Sequence, residues 1–324
     1  MCAVSTGHPK QVFKIYAGST ELSPFHDCYA INETVLRTCA GRFFVHDSGG
    51  GDIVAAYWAL RQKVVLFDVP ERPIEISGPG ALAFLETIFT RRISRLEVGR
   101  GYYTSACTHS GGLFMDGVLF RLDKDRYWFV QPDGDMNTWL LAHNTGFDVT
   151  VSDPKSRVLQ VQGPLSYAVM QAASQGAVGP DMGYFHSGFF NIGGQDVYVS
   201  RTGWTGELGY EIYTQGDSTD CPRLWDHLMA NGTKHGMIFS DMQSMNIRRI
   251  EAGIFDSGSD FDSYMTPFEA GLGKFIDLEK SDFIGYSALQ SADHEKRLYG
   301  LICRQETPLR GAGVFLKVRH ALGR

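Results

Sequence analysis

The stretch Arg201-Thr202-Gly203-Trp204-Thr205-Gly206-Glu207-Leu208-Gly209-Tyr210-Glu211-Ile212 joins a strand-like pattern at Val197 and Val199 to another at Tyr210 and Ile212. Glycines at 203, 206 and 209 let the backbone turn sharply and come close to a neighbour. Carboxylates, an arginine and aromatic rings surround the turn. A flat polar heterocycle would find stacking faces and hydrogen-bond acceptors there. The plainer reading of the same residues is a glycine-rich hairpin with ordinary surface charges.

Beyond this turn, one phrase occurs twice. Ile74-Glu75-Ile76-Ser77-Gly78-Pro79 precedes an apolar-periodic stretch with Leu82, Leu85, Ile88 and Phe89; Leu159-Gln160-Val161-Gln162-Gly163-Pro164 precedes another with Tyr167, Val169 and Met170. Each reads as a strand, a glycine, and a proline near a helix start, where a missing N–H is tolerated. The first copy continues with strands at Tyr102–Cys107, Val118–Leu122 and Tyr127–Val130, a helix from Met136 to His143 and a strand at Phe147–Val151. The second continues with strands at Phe189–Ile192, Val197–Val199 and Tyr210–Tyr213, then a helix from near Pro222 that stops at Asn231-Gly232. This order predicts an α+β fold of two related mixed α/β halves with mostly antiparallel sheets; two unrelated α+β domains are the alternative. Ser240-Asp241-Met242-Gln243 reads as a capping box with Ser240 as cap, opening a helix that carries Arg248, Arg249 and Glu251 and stops at Gly253.

The bulk properties narrow the function classes. A chain of 324 residues, 43% hydrophobic and 20% charged, is an ordinary globular protein with room for about two domains. The net charge of -6 argues against a nucleic-acid partner, and no apolar run suits a bilayer. The six cysteines include no Cys-x-x-Cys, and the ten histidines include no His-x-x-x-His. No metal site is suggested, and the cysteines read as reduced thiols of a cytoplasmic protein. The N-terminal residues do not look like a secretory signal. No Gly-x-Gly-x-x-Gly or Walker loop is present, which argues against a tightly bound nucleotide.

The opening stretch resembles the Arg-Thr-Gly-Tyr-Thr-Gly-Glu-x-Gly-Phe/Tyr-Glu signature of the glycine cleavage T-protein family, whose members are tetrahydrofolate-dependent one-carbon transferases. Gly111-Gly112-Leu113-Phe114-Met115-Asp116, Val161-Gln162-Gly163-Pro164, Arg249-Ile250-Glu251-Ala252-Gly253, Pro267-Phe268-Glu269-Ala270-Gly271-Leu272-Gly273 and Asp282-Phe283-Ile284-Gly285 agree with it, in the family's order. The resemblance implies a folate-binding core between the halves: an N-terminal arm over 1–65, a first half over 66–152 and a second over 153–290. It also implies that 291–324, opening with a strand at Leu298–Cys303, begins a C-terminal β-barrel-like domain that is largely missing, so exposed apolar surface is expected on what remains.

The candidate site follows from the residues and the resemblance together. Asp116 sits among Leu113, Phe114, Met115, Val118 and Leu119, where a carboxylate is costly to bury unless paired or functional. A turn aspartate is the plain alternative; the family places its essential aspartate here, to accept a proton or offset charge as the one-carbon unit reaches a folate nitrogen. The family's pterin-binding glutamate falls on Glu211, since a carboxylate can accept side by side from a ring N–H and an amine. Tyr103 matches a tyrosine of the folate cavity, and Phe185 is a weaker stacking candidate; both also read as core aromatics. Glu207 reads as solvent-facing on the turn, and Arg249 with Glu251 as a structural pair within the helix.

Two departures set this chain apart from aminomethyltransferases of the family. Met115 replaces the first of two adjacent aspartates, and Ser244-Met245-Asn246 replaces Ala-Arg-Asp. Val69–Ile76, Gly101-Tyr102-Tyr103-Thr104 and Asp260-Phe261-Asp262 look more like the dimethylsulfoniopropionate demethylase branch. The resemblance therefore implies tetrahydrofolate as cosubstrate and methyl transfer from a small-molecule donor. The alternatives are an aminomethyltransferase served by a lipoyl carrier protein and a non-catalytic folate-binding protein. The Lys-Gly-Cys-Tyr-x-Gly-Gln motif of folate-responsive maintenance factors is absent. A homodimer is the assembly considered.

Overall fold

The computed structural model describes residues 18–303 apart from 132, 281, 296, 297 and 301. The chain opens with strands β1 (Val35–Cys39) and β2 (Arg42–Asp47), helix α1 (Ile53–Gln62) and strand β3 (Val65–Val69). The first repeat comprises β4 (Arg72–Ser77), α2 (Ala81–Ile88), β5 (Arg100–Cys107), β6 (Leu113–Asp123), β7 (Arg126–Gln131), α3 (Met136–His143) and β8 (Thr150–Ser152). The second comprises β9 (Val158–Gln162), α4 (Ser166–Ala173), β10 (Ser187–Ile192), β11 (Gln195–Ser200), β12 (Gly209–Tyr213), α5 (Cys221–Gly232) and β13 (Ile238–Phe239). Helices α6 (Met242–Ala252) and α7 (Tyr286–Gln290) follow. None of the described helices is long and apolar enough to cross a membrane.

The repeat is visible in the sheets. The first half is ordered β5-β6-β7-β4-β8 and the second β10-β11-β12-β9-β3-β13, the same sequence of strands with β3 inserted next to the end. β3 pairs antiparallel with β9 and parallel with β13, so β13 keeps the direction relative to β9 that β8 has relative to β4. The phrase ends match as well: Gly78 and Gly163 both lie at φ +125°. A Cβ at Gly78 would sit 2.7 Å from the Asp148 carbonyl oxygen, and one at Gly163 would sit 2.5 Å from that of Lys63. Each half therefore uses its glycine to bring the strand-to-helix turn against a neighbouring backbone.

The insertion of β3 changes how residues 18–65 are read. All five residues of β3 are buried, Leu66 on one side of the sheet and Val65, Phe67 and Val69 on the other. A strand apolar on both faces is stable only inside a sheet covered on both sides. Phe25 is fully buried in the core of the second half, with its ring 6.2 Å from that of Trp225. Phe25 and β3 are thus built into the second half, while β1 and β2 form a two-stranded sheet of their own.

Strand alternation sorts the side chains into layers. Leu159, Val161, Tyr210 and Ile212 pack outward on α4 and α5 through Val169, Met170, Leu224 and Leu228. Ile74, Ile76, Tyr127 and Phe129 pack outward on α2 and α3 through Phe84, Leu85, Ile88 and Leu140. Between the sheets lies a third layer, where Phe120 and Trp128 of one meet Tyr198 and Tyr213 of the other at ring separations of 5.5–6.2 Å.

Several boundaries differ from expectation. Asp241, not Ser240, caps α6, with Oδ1 accepting from the Gln243 N–H at 3.0 Å. Ser240 is still held in the extended run after β13, its N–H donating to the Leu66 carbonyl. The helix does stop at Gly253, at φ +70°. α5 does end at Asn231-Gly232, where a Cβ on Gly232 would lie 2.5 Å from Met237 Sδ, and a separate short 3₁₀ turn carries the chain on to Gly236 at φ +73°. β8 begins at Thr150 because Phe147 closes a turn on the Asn144 carbonyl. The described part of the strand expected at Leu298–Cys303 is not a strand, and the residues after 303 lie outside the described set.

Ala in place of Gly78 or Gly163 must both adopt a glycine-only φ and displace backbone. Each is expected to lower unfolding free energy by about 3 kcal/mol or more. At Gly146, whose φ is +89° but whose surroundings are open within 4 Å, Ala is expected to cost about 1–2 kcal/mol. Urea unfolding of the three variants checks this.

Candidate functional site

Alternation decides which motif residues can act together. On β12, Tyr210 and Ile212 point to the helices, so Glu211 and Tyr213 point between the sheets. On β6, Met115 and Leu119 point to the helices, so Asp116 shares the inter-sheet side with Val118 and Phe120. Tyr103 lies across from Val118 on β5, and Ser105 across from Asp116. Asp116 and Tyr103 thus face the same layer from one sheet that Glu211 faces from the other.

Asp116 is buried, at 7% exposure. Its Oδ2 accepts the Tyr103 hydroxyl at 2.8 Å, while Oδ1 is sealed from solvent with no partner. Burial pushes its pKa up to about 6, against the Tyr103 hydrogen bond, which favours the charged form. The glycines before it hold the cover over the site. A Cβ at Gly112 would fall 1.8 Å from the Ser263 carbonyl oxygen, and the Leu113 N–H donates to the Met265 carbonyl. The covering segment packs Phe255, Phe261, Leu272 and Phe275 with Leu113 and Tyr103, the Tyr103 and Phe275 rings lying 4.7 Å apart.

Glu211 is equally buried but well supplied with donors. Its Oε2 accepts from the hydroxyls of Thr202 and, at 2.7 Å, Tyr213; its Oε1 accepts from Gln160 Nε2 at 2.8 Å. Burial raises its pKa and these hydrogen bonds oppose the rise. An ionised carboxylate has about four acceptor positions. The protein occupies most of them, leaving Oε1 as the oxygen with room for another donor.

The glycines of the opening stretch approach protein, and the neighbour is the second-repeat phrase itself. A Cβ at Gly203 or Gly209 would lie 2.1 Å and 2.3 Å from the Gln162 side-chain amide. Gln162 donates to the Thr202 carbonyl at 3.1 Å and accepts the Thr205 hydroxyl at 2.8 Å. Gly206, at φ +68°, makes room for Ala252 of α6, whose Cβ would lie 2.6 Å from an added Cβ. Trp204 Nε1 donates to the Phe255 carbonyl, and Arg249 lies 5.3 Å over the Trp204 ring. These contacts tie three of the quoted motifs and the covering segment into one unit.

Two charge assignments need correcting. Glu207 is ion-paired with Arg61 and, at 2.8 Å, Arg248, and does not face open solvent. Arg249 pairs with Asp260 and bonds Asn246 at 2.7 Å, while Glu251 accepts from Tyr57. Helix neighbours two apart do not face each other, so an Arg249–Glu251 pair is sterically unavailable.

Phe185 is half-buried at φ +61°. Its carbonyl accepts from the Gly101 N–H at 2.8 Å and its N–H donates to the Arg201 carbonyl at 3.1 Å, so it bridges the two sheets through backbone. Its ring meets that of Tyr184, with the centroids 4.5 Å apart. Gln160, Gln162, Tyr213 and Glu71 were legible as motif letters but not as site residues. The signal for Tyr213 was its place two residues after Glu211. A surface cleft of about 550 Å³, lined by residues including Arg72, Gln131, Asp133, Asp135 and Asp153, shares no residue with this site. Among the described residues no cluster suited to a metal ion occurs.

The profile of the GCVT N-terminal domain matches residues 41–280. The chain belongs to the glycine cleavage T-protein family. It is 32% identical over 294 residues to the trimethylamine-oxide aldolase of Ruegeria pomeroyi, covering 86% of this chain and 37% of that protein. It is 35% identical over 233 residues to the dimethylsulfoniopropionate demethylase DmdA of the same organism, covering 71% and 63%. It is 31% identical over 240 residues to the aminomethyltransferase of Lysinibacillus sphaericus, covering 71% and 64%. The chain thus spans under two thirds of each of these T-protein relatives. The fold is that of the glycine cleavage system aminomethyltransferase T from Bartonella henselae, with a TM-score of 0.74 over 84% of this chain and 74% of that one, at 24% identity.

Tyr103→Phe removes the one side-chain hydrogen bond that favours ionised Asp116. The Asp116 titration midpoint is expected to move above its value of about 6, as read by carboxyl-carbon NMR. An unmoved midpoint would mean that the Tyr103 hydroxyl does not hold Asp116 in solution.

Proposed function

We propose that this member of the T-protein family transfers a one-carbon unit to tetrahydrofolate, with the pterin held between the two sheets and Asp116 as the catalytic group. The observation that carries this is the buried Asp116 carboxylate, held at one oxygen by Tyr103 and unpartnered at the other, facing the same layer as Glu211. An unpartnered buried carboxylate oxygen is unfavourable and is retained where a ligand completes it. Tetrahydrofolate supplies the nitrogen that receives the one-carbon unit.

The protein's part is positional and electrostatic. Tyr103 fixes Oδ2, so a proton arriving at Asp116 goes to Oδ1. A pKa of about 6 leaves Asp116 largely ionised at neutral pH and basic enough to take that proton or offset positive charge on the donor. Glu211, held by Thr202, Tyr213 and Gln160, offers Oε1 to a pterin N–H, while Tyr103 and Phe185 contribute aromatic surface. Phe261 and Phe275 of the covering segment keep water from the Tyr103–Asp116 pair.

Methyl transfer from a small donor is the favoured reaction. Met245, aligned with an arginine of the aminomethyltransferases, is fully buried in the inter-sheet layer with Val65 and Phe67. The layer is therefore apolar at that point, which suits a displacement that needs alignment more than added charge. Met115 lends no support, because its side chain lies in the opposite core beside Gly134. Aminomethyl transfer from a lipoyl-bound donor is the second reading, favoured by the aminomethyltransferase relatives.

Titration calorimetry with tetrahydrofolate tests the binding, and mass spectrometry of the folate product separates the reactions. A 5-methyl product supports methyl transfer; a 5,10-methylene product with a lipoyl-carrier donor replaces it with the second reading. Asp116→Asn is expected to keep the fold and most folate binding and to lower turnover by about a hundredfold or more. In the parent, turnover is expected to rise with pH through about 6 as Asp116 ionises. A flat profile, or an Asp116→Asn enzyme as active as the parent, removes Asp116 from the chemistry.

A further inference from the structure

Glu71 sits in the two-residue connector between β3 and β4, where the chain leaves one sheet for the other. Its Oε1 accepts from Gln160 Nε2 at 3.2 Å, and the same nitrogen donates to Glu211 Oε1 at 2.8 Å. Gln160 is fully buried. Two oxygens of this group have no partner: Glu71 Oε2 and Gln160 Oε1, each sealed from solvent. They belong to a carboxyl and a primary amide already joined by one hydrogen bond. As an anion, Glu71 has no hydrogen to give and both oxygens stay unsatisfied. As an acid, it has one.

We propose that Glu71 and Gln160 form a cyclic acid–amide pair, with the proton on Glu71 Oε2 donated to Gln160 Oε1, and that this pair positions Glu211. The opposite orientation of the amide would turn its oxygen onto ionised Glu211, so Glu211 selects the orientation seen. The two carboxyls cannot both ionise cheaply around one amide. Glu211 keeps the charge, since it has the Thr202 and Tyr213 hydroxyls in addition to Gln160. Glu71 keeps the proton. Burial and then the charge of Glu211 push its pKa up to about 8, against a hydrogen bond from its own backbone N–H and with Asp68 adding to the rise.

The other charged and titratable groups around it do not reverse this. Arg42 is the nearby cation, but its Nη1 donates to the Glu71 backbone carbonyl at 2.8 Å and its Nη2 to the Ser156 carbonyl. Cys39 and Tyr213, which also feel Glu71, are neutral, their pKa values raised by burial. The consequence is that, of Glu71 and Glu211, only Glu211 is an anion where the pterin N–H is proposed to bind. Glu71 does not touch that ligand; it is a positioning residue, and its effect on ligand rests on the reading of Glu211 given above.

The test uses the full chain with E71Q and E71A. Glutamine preserves both hydrogen bonds as an amide–amide pair; alanine removes both. The infrared difference between the parent and E71Q at pH 7 is expected to contain a protonated-carboxyl band that vanishes as the pH is raised through about 8. The folded-state pKa lies above the ordinary glutamate value of 4.5, so the contribution of Glu71 to stability is complete below that value and is lost as pH rises through about 8. E71Q is expected to lack that alkaline loss. E71A is expected to weaken tetrahydrofolate binding by about tenfold or more and E71Q to restore it to within about threefold. An ionised-carboxylate band at pH 7, or a glutamine variant as impaired as the alanine one, overturns the proposal. The infrared and stability measurements use no ligand, so a parent that fails to bind tetrahydrofolate removes the folate reading while these still decide the state of Glu71.

Discussion

Carboxylates enclosed between two sheets are the constraint that the rest of the molecule has to meet. A buried carboxylate is costly unless donors surround it. Around Glu211 the chain supplies them from three strands or their ends: Gln160 of β9, Tyr213 of β12 and Thr202 just beyond β11. Around Asp116, among the described residues, the side-chain donor is Tyr103 alone. The contrast separates their surroundings. Glu211 is held among several donors that oppose the rise in pKa caused by its burial, while Asp116 keeps an unpartnered oxygen and a pKa of about 6.

Those networks require the motif segments to touch one another, and the glycines make this possible. Gly203 and Gly209 close around Gln162, Gly206 admits Ala252, and Gly112 admits the backbone at Ser263. Each contact joins stretches far apart in sequence. Such motifs are commonly read as ligand cradles. In this protein their glycines chiefly let backbone and amide pack at distances that no Cβ permits, and the strands that result carry the buried Asp116 and Glu211.

The two halves are also interlocked. β3 comes before the first repeat but completes the sheet of the second, and two residues later the chain enters the first sheet as β4. That crossing places Glu71 beside Gln160 and Glu211. A cut between residues 65 and 66, the boundary that the resemblance implied, would sever β3 after its first residue.

Much of this is written locally in the chain. The repeated strand–Gly–Pro–helix phrase specified two similar halves, because glycine at φ +125° and proline at a helix start are local demands that a chain states locally. Alternation along β12 was enough to put Glu211 on a strand face, and the motif order was enough to show the family; the expected strand began at Val118, and only the structure, with β6 opening at Leu113, put Asp116 on one. Only the closed fold established that β3 joins the second sheet, that Gln162 fills the glycine-rich turn, that Arg249 reaches Asp260 instead of Glu251, and that Met245 faces the site layer while Met115 does not. It also brought Glu71 and Gln160 together with their unsatisfied oxygens. The reason is physical: periodicity and turn chemistry act over a few residues, whereas strand pairing, desolvation and the sharing of a proton depend on groups that meet only after the sheets have closed on each other.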